Sequence, residues 1–391
     1  MENKFLAEAK ALTPYLQEIY TQLHSHPELG RQEYQTQALI LAELEKMGIE
    51  AQKIADTGVV GLIRGGKPGK TVAFRADMDA LPIEETADVP YKSQNPGVMH
   101  ACGHDSHVTI LLGLAKIMST QKEELSGNIK LLFQPDEEGR GGAKRMIEEG
   151  CMENPHVDAA FFSHCSSVAP TGTIRYRFGS VNAASNTFTV TFRGKGSHGA
   201  SPHMGTDVIV AASSAVMALQ TIASRRVGPT DSIVVTVGQF EAGSAPNIIP
   251  ETATIKGMIR TLNPQTREQA KNDFRQIING VAATMNVEAD IDLRDGYAAT
   301  VNDDEMVKLT CAAAAKVLGE ENIHTSPAPG MGTEDFGYFL QKVPGCSFHY
   351  GVGKPNADNK PVHNPGFKLD LDALPYGAAV YAQIAEDFLG E

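Results

Sequence analysis

The sequence predicts an α/β protein in which one domain, made from both ends of the chain, is interrupted by a second domain of β-α-β-β-α-β order. Three observations predict it. Apolar strand-like runs alternate with helical patterns up to residue 182. At residue 183 the texture changes to strands with one wet face. The stretch after residue 297 is too short to form an α/β domain of its own. The predicted division is therefore 1–182 with 298–391, and 183–297 as the insert.

The elements follow in order. The opening "MENKFLAEAKALTPYLQEIYTQLHSHPELG" reads as an amphipathic helix, and "QTQALILAELEKMGIEA" carries helical apolar spacing. "GVVGLIRG", "TVAFRADMD", "NIKLLFQPDEEG" and "DAAFFSHCSS" read as strands. Helical "SHVTILLGLAKIMSTQ" and "GGAKRMIEEG" lie between them, which argues a largely parallel sheet. In the insert, "SNTFTVTFRG" is a strand and "DVIVAASSAVMALQTIASR" a helix. "DSIVVTVGQFEAG" and "ATIKGMIRTL" are strands, "TREQAKNDFRQIINGVAATM" is a helix and "VEADIDLRDG" a strand. That is the split unit of a ferredoxin-like module. "DDEMVKLTCAAAAKVLG", "CSFHYGVG" and "ALPYGAAVYAQIAEDFLG" then add a helix, a strand and a last helix.

Composition excludes several classes. A net charge of −13 over 391 residues repels nucleic acid and anionic membranes alike. No apolar run approaches the roughly 20 residues that span a bilayer, and the amino terminus lacks the pattern of a signal peptide. Five scattered cysteines (102, 151, 165, 311, 346) do not form a disulfide framework. Reduced thiols and a cytoplasmic location are expected.

Ligands of open α/β sheets gather beyond the carboxyl ends of the strands. Here those ends deliver Asp77 and Asp79, then Asp136, Glu137 and Glu138, then His164. The segment "HACGHDSH" brings His100, Cys102, His104, Asp105 and His107 to a helix start, with Asp105 placed to cap it. Thiolate, imidazole and carboxylate are the donors that zinc and its neighbours take. Cys102 and His104 are two apart, so they converge only in a bend, and Gly103 permits one. Adjacent Glu137 and Glu138 point different ways. One can bind metal while the other stays free as a general base. His363, in "KPVHNPGF", is a further candidate ligand. His100 and His107 are open between structural and supporting roles.

In these motifs the chain resembles the dimetal metallopeptidase family of aminoacylases and glutamate carboxypeptidases, in its N-acyl-amino-acid amidohydrolase branch. "LHSHPELG", "RADMDALPI", "MHACGHDSH", "LLFQPDEEGRGGAKRMIEEG", "GKGSHGASPH", "APNIIPE", "GMIRTL", "GMGTEDF" and "HNPGF" carry the resemblance from about residue 20 to residue 370. It implies a zinc-peptidase-like catalytic domain with the insert as lid and dimerisation domain. It implies two divalent metal ions per subunit, Zn²⁺ or Mn²⁺ with Co²⁺ and Ni²⁺ as alternatives, held by Cys102, His104, Glu138, His164 and His363. The implied reaction is hydrolysis of N-acyl amino acids or small peptides by metal-activated water, with Glu137 as general acid/base. His198 matches a histidine that stabilises the oxyanion, and Asn247 and Arg260 match positions that hold the substrate carboxylate or oxyanion. A homodimer or dimer-based oligomer is implied too.

The chain departs from its relatives at two places. "CSSVAPTG" follows His164 where an aromatic or apolar residue and proline are common, which bears on the acyl pocket. Asp136 stands where a small residue is common and adds negative charge. Two other readings stand beside the leading one. One is a cysteine hydrolase built on Cys102, which leaves Glu137, Glu138 and His363 without a role. The other is a non-catalytic binding relative.

Overall fold

The computed structural model describes residues 2–390. They form two compact units. One takes the residues up to Gly179 with Val301–Ala328 and those from Asp335 onward. The other is Ser180–Thr300 with Pro329–Glu334.

The first unit is built on an eight-stranded sheet. Its order is Glu50–Ile54, Gly58–Arg64, Ser126–Gln134, Lys67–Asp77, Ala159–Pro170, Gly345–Gly353, Ile174–Tyr176, Ile323–Thr325. The third to sixth of these are parallel, so their carboxyl ends share one rim. Runs such as Val72–Ala76 and Ile129–Phe133 are buried on both faces, as parallel strands between helices must be. Alternate residues serve opposite layers. Val72, Phe74 and Ala76 join the core that includes the helices His104–Ser119 and Ala373–Gly390. Ala73 joins Leu132, Phe162, Met146 and Phe336 in a second core.

The amino-terminal amphipathic stretch forms two helices, Lys4–Ala11 and Thr13–Ser25, rather than one. Pro14 lies in the first turn of the second, where its missing N–H costs nothing and its fixed φ starts a new helix.

The second unit carries a four-stranded antiparallel sheet in the order Ile233–Ala242, Thr252–Thr261, Ala184–Arg193, Glu288–Asp295. In chain order that is 2-3-1-4, with helices Val208–Thr221 and Pro264–Met285 as the crossovers. Asp207 and Asn263 cap the two helices with side-chain oxygens. Phe188, Val190 and Phe192 pack with Ala211, Ala215, Leu219, Phe274 and Ile278.

One segment of this unit runs against the expectation about apolar length. Val208–Arg226, 19 residues at mean hydropathy 1.4, is long and apolar enough to cross a membrane. Its buried face of Val208, Ala211, Ala212, Ala215 and Leu219 belongs to the core, which accounts for much of that composition.

In the first unit, a buried histidine docks the amino-terminal helices. His24 Nδ1 lies 2.6 Å from Asp105 Oδ2, and Nε2 lies 3.2 Å from Glu85 Oε1. Burial alone would lower the His24 pKa, but the hydrogen bonds and charges of Asp105 and Glu85 outweigh it and raise it to about 9. A pKa raised on folding stabilises fully below the unfolded value near 6.5, and that contribution fades as pH climbs through about 9. Thermal stability is therefore expected to fall between these pH values by on the order of 3 kcal/mol from this group. His24→Gln should flatten the slope of Tm against pH across that window. Parallel slopes in the two proteins would refute the buried imidazolium.

Candidate metal centre

Four segments meet on the rim of the parallel strands. Cys102 and Gly103 precede the helix His104–Ser119, and Gly103 takes φ +82°. A Cβ there would sit 2.4 Å from Cys165 Sγ, so both the turn and the space require glycine. The bend turns Cys102 toward two histidines. Its Sγ lies 3.4 Å from His164 Nε2 and 3.2 Å from His363 Nε2. His363 Nε2 in turn lies 2.9 Å from Glu138 Oε1. The donor atoms of Cys102, His104 and His164 fall within 4.8 Å of one another, and so do those of Cys102, Glu138 and His363. The five donors thus form two triads that share the Cys102 sulfur. Glu137 forms a third group of the same span with His104 and Glu138.

These residues fit divalent cations. His104 Nδ1 faces Asp79 Oδ1 at 3.2 Å, while its buried Nε2 has no hydrogen-bond partner. Burial disfavours charge on this ring, yet Asp77, Asp79 and Glu138 raise its pKa to about 10. A protonated N–H sealed from water, with Asp77 Oδ2 no nearer than 3.5 Å and no hydrogen bond made, is costly, and a cation in its place removes the conflict. His164 Nδ1 donates to Cys165 O at 2.8 Å, which leaves the Nε2 lone pair facing Cys102. Burial works against ionisation of Glu138, but His363 and His104 hold its pKa below the usual carboxylate value. Burial and the neighbouring carboxylates push the Cys102 thiol well up.

Around the donors the remaining polar residues sort themselves. His107 Nδ1 lies 2.5 Å from Asp77 Oδ1, and its Nε2 accepts the Cys165 N–H at 3.0 Å. Both nitrogens are engaged, and burial takes the pKa down to about 3, so the ring is neutral and supports the strand end. His100 is buried with neither nitrogen hydrogen-bonded, and burial lowers its pKa to about 4. Asp105 does not cap the helix. It lies in the first turn, and one carboxylate oxygen is taken by His24. Asp136 is not an uncompensated charge, because Arg31 Nε donates to its Oδ2 at 2.6 Å.

The sequence places Asp79 on the rim without a role of its own, and it does not single out Arg75 or Asp335. Asp79 accepts the Glu138 N–H at 2.9 Å while facing His104. Arg75 and Asp335 are fully buried and paired at 2.8 Å beneath the rim. The double acid of "RADMD" at a strand end was the signal for Asp79, whereas nothing near Asp335 in sequence points to Arg75.

His198, Asn247 and Arg260 lie in the second unit. His198 is exposed and pairs with Ile248 in a two-residue ladder, and Gly199 N–H donates to Asn247 O at 2.8 Å. His198 Nδ1 accepts the Ala200 N–H at 3.0 Å, which places the ring proton on Nε2. Arg260 lies on the strand Thr252–Thr261, with Nη1 buried and without a partner.

Known proteins resemble this chain over most of its length. Residues 73–387 match the description "Peptidase family M20/M25/M40". A thermostable carboxypeptidase 2 of Saccharolobus solfataricus is 39% identical over 99% of this chain and 98% of its own. IAA-amino acid hydrolase ILR1-like 2 of Arabidopsis thaliana is 40% identical over 100% of this chain and 89% of its own. The crystal structure of the Bacillus subtilis YXEP protein, described as a dinuclear metal binding peptidase, superposes with TM-score 0.85 at 31% identity. It covers 97% of this chain and 99% of its own. The chain belongs to the M20/M25/M40 peptidase family, in its aminoacylase-like branch, and is a hydrolytic enzyme.

Proposed function

We propose that this hydrolase cleaves the amide bond of N-acyl amino acids or small peptides, with Glu137 as general acid/base beside a two-metal site. The observation that carries the proposal is the pair of donor triads sharing Cys102 Sγ, with Glu137 alongside. Cys102, His104, Glu138, His164 and His363 are assigned as the residues that hold the metals. When bound, the metals supply Lewis-acid polarisation of the amide and of water. Mixed sulfur, nitrogen and oxygen donors suit Zn²⁺, with Mn²⁺, Co²⁺ and Ni²⁺ as alternatives.

The chain's own residues do the rest. Glu137, 6% exposed, takes a proton from the attacking water and returns it to the leaving amine. His198, with its proton on Nε2, is assigned to donate to the oxyanion. Arg260 and Asn247 are assigned to the substrate carboxylate or the oxyanion, and the unpartnered Nη1 of Arg260 supports such a role. The names of the two relatives, a carboxypeptidase and an IAA-amino acid hydrolase, agree with a substrate in which an acyl group is bonded to an amino acid. The alternative of a Cys102 nucleophile finds less support. A nucleophilic cysteine needs a lowered pKa, and this thiol is held well above its usual value. Five unpaired thiols support a reducing, cytoplasmic compartment.

The second unit leaves Ile209, Val210 and Met217 of one helix exposed, and Ile233–Ala242 is an unpaired sheet edge within it. These features support a homodimer formed through that unit.

Three outcomes test these assignments. Glu137→Gln should bind metal like the parent and lose about 10²- to 10⁴-fold in kcat on N-acyl amino acids, and undiminished turnover would remove Glu137 from the mechanism. Zn²⁺ added to metal-free protein at pH 7 in weak buffer should acidify it, since the Cys102 thiol and the His104 imidazolium both give up protons. Binding without proton release would contradict the assigned ligands. In sedimentation velocity the parent should run as a dimer and Met217→Glu should shift toward monomer. A monomeric parent refutes the interface.

A further inference from the structure

The loop that carries Glu137 is anchored by residues outside the donor set. Glu33, 0% exposed, accepts the Asp136 N–H on Oε1 at 2.9 Å and the Thr57 hydroxyl on Oε2 at 2.6 Å. On the other side of Glu137, the Glu138 N–H is held by Asp79. Asp136 O also accepts the Gly141 N–H at 3.0 Å, closing the turn. Glu137 therefore sits between two peptides, each fixed by a carboxylate from a distant segment.

A second contact reinforces the first. Arg31 Nε donates to Asp136 Oδ2 at 2.6 Å, and both residues take left-handed backbone, at φ +65° and +55°. Such φ values are uncommon for non-glycine residues and persist only where the surroundings impose them. Asp136 Oδ1 presses toward Gly30 and Gly139, where a Cβ would fall 2.4 and 2.1 Å from it. The segment Gly30–Glu33 thus grips the Asp136 backbone through Glu33 and its side chain through Arg31.

We propose that Glu33 is a positioning residue for Glu137, and that the Arg31–Asp136 pair latches the same loop. The idea rests on the reading of Glu137 as general acid/base. A carboxylate that must meet a proton within about 0.5 Å of its productive place depends on locked neighbours. A displacement of about 1 Å can cost about 10²-fold in rate. Glu33 acts through the Asp136 peptide and touches no reacting atom.

The test uses the zinc-loaded enzyme, the metal-free protein and three variants. Glu33→Ala should lower kcat about 10- to 100-fold, with KM within about twofold and zinc content unchanged. In the metal-free protein, amide hydrogen exchange of the peptide spanning 135–142 should speed up in the same variant. Glu33→Gln keeps an acceptor for the Asp136 N–H and turns a donor to Thr57. It should recover kcat to within about threefold of the parent and restore slow exchange. Arg31→Asn tolerates the left-handed backbone at 31 and removes the latch without altering the loop itself, so it should fold and lose several-fold in kcat. The proposal is overturned if Glu33→Ala keeps parental kcat and exchange, or if Glu33→Gln is as impaired as Glu33→Ala. Parental kcat in Arg31→Asn overturns the latch. If Glu33→Ala fails to fold, Glu33→Met takes its place, since it fills the same space and offers the Asp136 N–H no carboxylate, and the same outcomes decide. A parent that hydrolyses no N-acyl amino acid, with the exchange pattern as expected, defeats the function reading and leaves the loop anchor standing.

Discussion

Arg75 places a guanidinium in the interior at 1% exposure, and the candidate metal centre is built outward from it. Nη1 donates to Asp77, Nη2 to Asp335 and Nε to Gln134, and the group lies 4.3 Å from the centroid of Phe162. Asp77 holds His107, His107 accepts the Cys165 N–H, and the Cys165 carbonyl accepts from His164. Each bond fixes the tautomer or orientation of the next group, ending on an imidazole nitrogen that faces Cys102. Burial works against ionisation of Asp77, but Arg75, His104 and His107 hold its pKa well below the ordinary value. Lysine could not replace Arg75, because three partners in three directions need the planar fork. Removing one partner of such a buried pair typically costs about 3–5 kcal/mol.

That network also explains why the rim suits cations. Asp77, Asp79, Glu137, Glu138 and Asp335 are buried or nearly so, and the Arg75 guanidinium is paired with two of them, Asp77 and Asp335. Carboxylates crowded out of water favour any arrangement that brings positive charge among them. Without metal, His104 meets part of that demand by holding a proton. Placing the shared donor on a thiol rather than a carboxylate keeps a further negative charge out of the metal-free site, since the thiol stays protonated there.

Much of this was legible in the sequence because it is local or periodic. Strand ends followed by acids, the bend at Gly103 and the alternation of the insert are written in consecutive residues, and the parallel rim follows from them. The partners were not legible. Asp105 looks like a helix cap until His24, 81 residues away, takes its oxygen. His100 and His107 are indistinguishable in "HACGHDSH", and Asp77 and the Cys165 peptide separate them. Asp335 lies 260 residues from Arg75. Which polar groups meet in the interior depends on the closed fold, and residue type alone does not carry that.

The departures after His164 change meaning for the same reason. In the strand Ala159–Pro170, successive side chains point to opposite faces. Cys165 and Ser167 turn inward at 2% and 4% exposure, and the Cys165 thiol donates to Cys102 O at 3.2 Å. Cys165 therefore packs beneath the site, where its sulfur takes the space a side chain at position 103 would need. Ser166 shares the face of His164, and Val168 is 70% exposed farther along. Of the three residues that follow His164, Cys165 and Ser167 are thus accounted for by packing into the interior, and Ser166 is the one left on the half-buried face of the histidine.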